Sequence, residues 1–159
     1  MEKIDIICIG TLKEKSMREL SAEYIKRLSR YCKITVTELA ESRLPSNPSD
    51  IEIQRALETE ANSMRAACGA GAFKIAMCIE GKMLSSTDFA KMLDNSMNSV
   101  GKTAIFIGSS YGIAPSLKAE CDVKLSMSPM TFPHQLARCM LLEQIYRTYK
   151  IRLNETYHK

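Results

Sequence analysis

The sequence predicts an α/β fold, a mostly parallel sheet with flanking helices. Five short apolar or alternating stretches are separated by longer segments with helical spacing, the pattern of βαβ units. The chain has 159 residues, the size of one domain, so a single domain over residues 1–159 is expected. Its composition, 45% hydrophobic and 25% charged, is that of a globular chain and excludes disorder as the main state. No run approaches the ~20 apolar residues of a membrane span.

Ile4–Ile9 reads as a short buried strand ending at Gly10. Ser16-Met-Arg-Glu19 has the spacing of a capping box, in which serine and glutamate side chains satisfy free amides at a helix start; the helix it opens runs to about Tyr31, with Leu20, Tyr24 and Leu28 at helical spacing. Lys33–Leu39 alternates as a strand, and 41–49, with Pro45 and Pro48, is a loop. A second box, Ser49-Asp-Ile-Glu52, opens a helix to about Ala67, ended by Gly69 and Gly71. Phe73–Ile79 is a strand, followed by a turn at Glu80-Gly81-Lys82. Ser85-Ser-Thr-Asp88 starts a helix to about Asn98. Thr103–Ile107 is a buried strand, 116–119 a short helical turn and 122–126 a last short strand. The final helix starts near Phe132-Pro133, since proline is favoured in a first helical turn, and continues to about Arg152.

The net charge is +4, too small to establish nucleic-acid binding. Its distribution says more: residues 1–33 and 138–159 each carry +3 and the middle carries −2, so a fold or assembly that joined the ends would form a basic face. The six cysteines are at 8, 32, 68, 78, 121 and 139. That spacing has no metal-binding pattern, and no metal is expected. Met1-Glu2-Lys3-Ile4-Asp5 lacks the apolar core of a signal peptide, so reduced cysteines and a cytoplasmic location are expected.

Open parallel sheets bind ligands beyond the carboxyl ends of their strands. Three such ends stand out here: Glu80-Gly81-Lys82, Gly108-Ser109-Ser110-Tyr111-Gly112, and Met127 to His134. The glycines of the second fit either a tight turn or a close approach of backbone to ligand. It is not a phosphate loop, because no Gly-Lys-Ser/Thr follows and GxGxxG is absent. The third has two Met, two Pro and a Phe in residues 127–133, which either fill the core or wall a pocket for a flat, partly apolar ligand. His134 reads as a capping or packing residue. Arg138 reads as a solvated charge or as a partner of Glu143, and Glu143 and Gln144 either face water or bridge to another chain. The terminal Tyr157-His158-Lys159 is either a disordered tail or a docked one able to stack, accept a proton and contact phosphate.

Taken together, Gly10-Thr-Leu-Lys13, Glu80-Gly81-Lys82, Ile107-Gly108, Leu125-Ser126, Met130-Thr-Phe-Pro-His-Gln-Leu136, Arg138, Glu143-Gln-Ile-Tyr-Arg147 and Tyr157-His158-Lys159 resemble one family along the whole chain. It is the RlmH-type large-subunit ribosomal RNA pseudouridine methyltransferases, of the SPOUT class. Two positions depart from its pattern: Ser109 stands where a second glycine is usual, and Asn154-Glu155 where a glycine precedes the terminal motif. Asparagine tolerates the left-handed backbone such a turn needs.

The resemblance implies a deep trefoil knot in the carboxy-terminal part of the sheet and a homodimer packed through the last helices, which would double the charge to about +8. It implies S-adenosylmethionine as cofactor, held by Met77, Gly108, Met127, Ser128, Pro129, Met130, Thr131 and Phe132. The implied reaction is methylation at ring nitrogen 3 of a pseudouridine in the helix 69 loop of 23S ribosomal RNA, in the assembled ribosome. On this reading His158 removes the proton or orients the base, Arg138 contacts a phosphate or base carbonyl, and Tyr157 and Lys159 anchor the target. The alternatives are a knotted methyltransferase acting on another RNA such as transfer RNA, a non-catalytic ribosome-binding module, and a flavodoxin-like nucleotide-binding protein.

Overall fold

A computed structural model describes residues 1–157. Its five strands are β1 (Lys3–Ile9), β2 (Lys33–Leu39), β3 (Phe73–Met83), β4 (Lys102–Ile107) and β5 (Val123–Ser126), in the sheet order β2-β1-β4-β3-β5. Every neighbouring pair is parallel. The helices are α1 (Lys15–Leu28), α2 (Asp50–Cys68), α3 (Ser86–Val100), α4 (Pro115–Glu120) and α5 (His134–Arg152). No helix among the described residues is long and apolar enough to cross a membrane.

The period of two along β1 divides the core. Ile4, Ile6 and Cys8 face one side with Ile75, Ile105 and Leu125, under Leu28 of α1, Phe89 and Leu93 of α3, and Leu141 and Ile145 of α5. Ile7 and Ile9 face the other with Ala76 and Phe106, under Ala61 and Met64 of α2 and Leu117 of α4. Both faces are covered, as a parallel sheet requires. From β4 the chain crosses past β3 to place β5 at the sheet edge, so the direction of strand succession reverses around β3 and β4. This is the kind of switch point where α/β sheets open a crevice.

Most element boundaries match the sequence pattern. The Ser49 box is formed in full, with Glu52 N–H on the Ser49 side chain and the Glu52 carboxylate on the Ser49 amide. Ser85 caps α3 through the Asp88 amide. Three expectations are corrected. Ser16 does not cap α1: the helix begins at Lys15 with Glu14 at its cap position and no side-chain cap bond. Tertiary bonds set this start instead, for Lys13 N–H donates to Gln135 of α5 and Arg18 reaches back to the carbonyls of Leu12 and Lys13. Glu80-Gly81-Lys82 is not a turn after β3 but part of that strand, which continues to Met83. Pro133 occupies the cap of α5 rather than its first turn.

The two ends of the chain do meet. Glu2 receives two 2.9 Å bonds from Arg152 and one of 2.7 Å from the Tyr149 hydroxyl. The cations of the carboxy-terminal segment are largely used inside the fold, in the pairs Arg138–Glu38, Arg147–Glu143, Lys150–Glu155 and Arg152–Glu2. Among the described residues, the positive charge of that segment is therefore not an open basic face. All six cysteines are free.

Candidate active site

The carboxyl ends of β3, β4 and β5 enclose a cleft of about 670 Å³, within the roughly 300–1,000 Å³ typical of small-molecule sites. Two of the strand ends singled out in the sequence, Gly108–Gly112 and Met127–His134, converge on this cavity, and the third side comes from Met77 to Glu80 within β3. Each shapes it differently.

After β4 the chain turns back on itself, with Gly112 N–H on the Ser109 carbonyl at 2.8 Å. A Cβ at Gly108 would lie 2.3 Å from the Gly112 carbonyl oxygen. Gly108 is therefore required by the turn itself, and Gly112 supplies the positive φ, +85°. Ser109 lines the cleft, and its hydroxyl donates to Glu60 Oε1 of α2 at 3.0 Å. Glu60 is buried, and its Oε2 has no hydrogen-bond partner among the described residues. Burial holds this carboxyl above the usual carboxylate range, against the lowering effect of the Ser109 bond. The sequence reading passed over Glu60. Its signal was an acid in the buried stripe Ala56, Glu60, Ala61, Met64, Cys68 of α2.

At β3 the register breaks. Leu125 of β5 is opposite Met77 and also opposite Lys82, so residues 78–81 project between them. Gly81 makes this possible, because a Cβ there would meet the Leu125 and Lys124 backbone at 2.7 Å. Glu80, in the projection, is ion-paired with Lys118 of α4, which lowers the carboxyl's pKa. Met77, Cys78 and Ile79 wall the cleft on this side.

The third wall is the apolar segment after β5. Ser126 Oγ donates to the Ser128 carbonyl at 3.1 Å and Met130 N–H donates to Ser128 Oγ at 3.0 Å, which coils the segment on itself. Met127, Ser128, Met130, Thr131 and Phe132 line the cleft together with Met77 and Gly108. Pro129 lies in the same segment but off the wall. Thioether and phenyl side chains beside close-packed backbone suit a flat heteroaromatic ring joined to a polar moiety. The cleft fits S-adenosylmethionine in size and chemistry.

A second cleft of about 330 Å³ shares Met77, Leu125, Ser126 and Met127 with the first. Glu143 and Gln144 of α5 line it, and Gln144 accepts from Ser86 at 2.7 Å. Next to it, the Tyr157 hydroxyl donates to Glu143 Oε1 at 3.1 Å, and the ring stands edge-on to Tyr146 at 5.1 Å. Arg147 pairs with Glu143 at 2.5 Å and covers the Tyr157 ring at 4.8 Å. Asn154, at φ 52°, makes the left-handed step that turns the chain back. The tail is thus docked as far as Tyr157; His158 and Lys159 lie outside the described residues.

Arg138 has a different setting from either reading of the sequence. Its side chain is 3% exposed and donates to Glu38 at 2.8 Å and to the Gly10 carbonyl at 3.1 Å. Glu38 Oε2 also accepts from Leu12 N–H at 3.0 Å. Arg138 is therefore neither solvated nor paired with Glu143. With Gln135 it fastens the Gly10–Lys13 loop, at the carboxyl end of β1, to the first turns of α5. His134, the first residue of α5, is half-buried on the cleft wall. Among the described residues no His, Cys, Asp and Glu group is arranged to hold a metal ion.

Comparison with known proteins adds to this geometry. Residues 2–158 match the family model described as "Predicted SPOUT methyltransferase". The Ribosomal RNA large subunit methyltransferase H of Streptococcus sanguinis is 39% identical over 158 residues, 99% of each chain. The protein of the same name from Clostridium beijerinckii is 44% identical over 157 residues, 98% of this chain and 99% of that one. Among solved structures, a probable methylase family protein from Haemophilus influenzae superposes with a TM-score of 0.55 at 9% identity, covering 95% of this chain and 66% of the other. At that identity the likeness concerns the fold.

Proposed function

The chain belongs to the SPOUT methyltransferase family, and on that premise we propose that it is a 23S ribosomal RNA methyltransferase that uses S-adenosylmethionine. The observation that carries this reading is full-length identity of 39% and 44% to large-subunit ribosomal RNA methyltransferases, joined to a cleft of matching chemistry at the strand ends. The finer proposal is methylation of ring nitrogen 3 of a pseudouridine in the helix 69 loop, within the assembled ribosome, by a cytoplasmic homodimer. Family membership supports a deep trefoil knot in the carboxy-terminal part of the chain.

Bound in the cleft, the cofactor supplies an electrophilic sulfonium methyl. The protein's task is alignment and proton removal. Met77, Gly108, Met127, Ser128, Met130, Thr131 and Phe132 hold the cofactor, with apolar walls for adenine and backbone groups for its polar edge, while Pro129 shapes the segment from outside the wall. His158 takes the proton from the target nitrogen. Tyr157 and Lys159 hold the base and its phosphate. The tail of one subunit completes the site of the other. Arg138, buried and doubly bonded, acts as a positioning residue that holds the Gly10–Lys13 loop against α5.

Methyl transfer from labelled cofactor to intact ribosomes, isolated subunits and transfer RNA tests the reading. Incorporation into 23S RNA of intact ribosomes is expected; incorporation into transfer RNA alone would replace the substrate. Calorimetry that found no cofactor binding would point to a non-catalytic module. Removal of Tyr157–Lys159 is expected to spare cofactor binding and abolish transfer, and full activity of that truncation would sink the role given to the tail.

A further inference from the structure

We propose that Tyr111 is a stacking platform for an unpaired base of the RNA substrate at the mouth of the cofactor cleft. The inference rests on the RNA methyltransferase reading and deepens it. The chain has six Tyr, four Phe and no Trp. Of these ten rings only Tyr111 is exposed, at 49%. The other five tyrosines pack among themselves over α1 and α5. Tyr111 stands apart from them, on the rim of the 670 Å³ cleft.

The ring is also held firmly at its base. It sits at the tip of the Ser109–Gly112 turn, closed by the 2.8 Å bond from Gly112 N–H to the Ser109 carbonyl. The turn is fastened to α2 by the 3.0 Å bond from Ser109 to Glu60. An exposed aromatic on a fixed turn loses little conformational freedom when a ligand stacks on it. Two further apolar side chains stand out at the same mouth, Ile79 at 56% and Met130 at 73% exposure. They extend an apolar rim around the opening. Lys118, on the same wall, is ion-paired with Glu80.

A base whose ring nitrogen is to be methylated must leave its stack to reach the cleft. Single-stranded RNA replaces lost stacking by lying on aromatic side chains, which costs no sequence-specific hydrogen bonds. Tyr111 supplies such a face on the approach to the cofactor walls. One ring on the cleft rim thus supplies a stacking contact to RNA from within the same fold that holds the cleft.

The test compares wild type, Tyr111→Ala, Tyr111→Phe and Tyr111→Trp in steady-state methylation of intact ribosomes, with cofactor affinity by calorimetry. Tyr111→Ala is expected to raise KM for ribosomes about tenfold or more, the size of one lost base stack. Phe and Trp are expected to restore it, with cofactor Kd changed less than about twofold in all variants. The single indole of Tyr111→Trp is expected to ignore S-adenosylhomocysteine and to change emission when RNA is added. An unchanged KM in Tyr111→Ala overturns the inference. So does a loss of cofactor affinity or an indole response to S-adenosylhomocysteine alone, either of which assigns the ring to the cofactor. A shift of Tyr111→Ala from dimer to monomer in sedimentation assigns it to a subunit interface and overturns it too. Failure of wild type to methylate any ribosomal RNA removes the parent reading and this inference with it.

Discussion

Ser109, at the carboxyl end of β4, donates its hydroxyl to Glu60 of α2 across 3.0 Å, so the turn that lines the 670 Å³ cleft is bonded to a helix packed on the sheet. The Glu60 carboxyl is raised by burial, and the folded form keeps its proton to higher pH than the unfolded chain does. The resulting stability is complete below the ordinary carboxylate value and is lost as pH rises through the folded one. Glu60→Gln keeps an acceptor for Ser109 and carries no charge. Its urea midpoint is expected to match wild type in acid and to exceed it at neutral pH. A wild-type advantage at neutral pH would mean that the ionised carboxylate is the stabilising form.

Glu2 has the opposite sign. The bonds from Arg152 are the first cause holding its carboxyl below the usual range. The stability it adds is present above the ordinary carboxylate value and is lost as pH falls through the lower, folded value. Glu2→Gln is expected to cost about 1 kcal/mol at neutral pH, the upper end for a part-exposed pair, with the difference vanishing in acid. Thermal melts of both Gln variants across pH should therefore give curves that diverge from wild type in opposite directions.

Gly108 and Gly112 are expected to differ sharply on substitution. A Cβ at Gly108 meets the Gly112 carbonyl at 2.3 Å, whereas a Cβ at Gly112 meets nothing within 4 Å. Gly112→Ala is burdened only by its positive φ, about 1 kcal/mol. Gly108→Ala must open the turn, and a loss of cofactor affinity of about tenfold or more is expected, since ~1.4 kcal/mol suffices for it. Calorimetry on both variants checks the order; equal affinities would mean that the turn is not part of the cofactor site.

Arg138→Ala leaves Glu38 and the Gly10 carbonyl without their cation. Breaking a buried pair costs roughly 3–5 kcal/mol; with the Glu38 side chain 37% exposed, a loss of about 2 kcal/mol is expected after allowing for solvent. Denaturant titration reads the loss. As a positioning residue, Arg138 replaced by Lys should recover part of both stability and ribosome methylation. An Arg138→Ala variant of wild-type stability without activity would return the residue to the RNA contact that the family resemblance implied.

The sheet was legible in the sequence because each strand carries its own apolar period, and two of the three helix starts with Ser three residues before an acid, Ser49 and Ser85, were legible because capping is local. Ser16 shows the limit: the same spacing failed where Gln135, more than a hundred residues away, holds the entry to α1. Two of the cleft's walls were readable as strand ends, after β4 and after β5; the wall from β3 lies within a strand that runs on to Met83. What filled the spaces between them was not. Glu38 looks like an ordinary surface acid until the fold brings Arg138 to it, Glu60 stands out only by its place in the apolar stripe of α2 with no partner in sight until Ser109 arrives, and the strand break at β3 depends on a register with β5 that neither stretch encodes alone.

That break separates what β3 does for the core from what it does for the cleft. Residues 78–81 lie outside the ladder, and the strand rejoins β5 beyond them at Lys82. Without them Met77 would be followed directly by Lys82, and the cavity would lose Cys78, Ile79 and Glu80 from its near wall, none of them a buried core residue. Apart from Gly81, which must clear the β5 backbone, the segment acts as a spacer whose length sets the aperture. Insertions and deletions at this one point would give a protein of this plan a route to admit a larger or smaller guest without redesigning its scaffold.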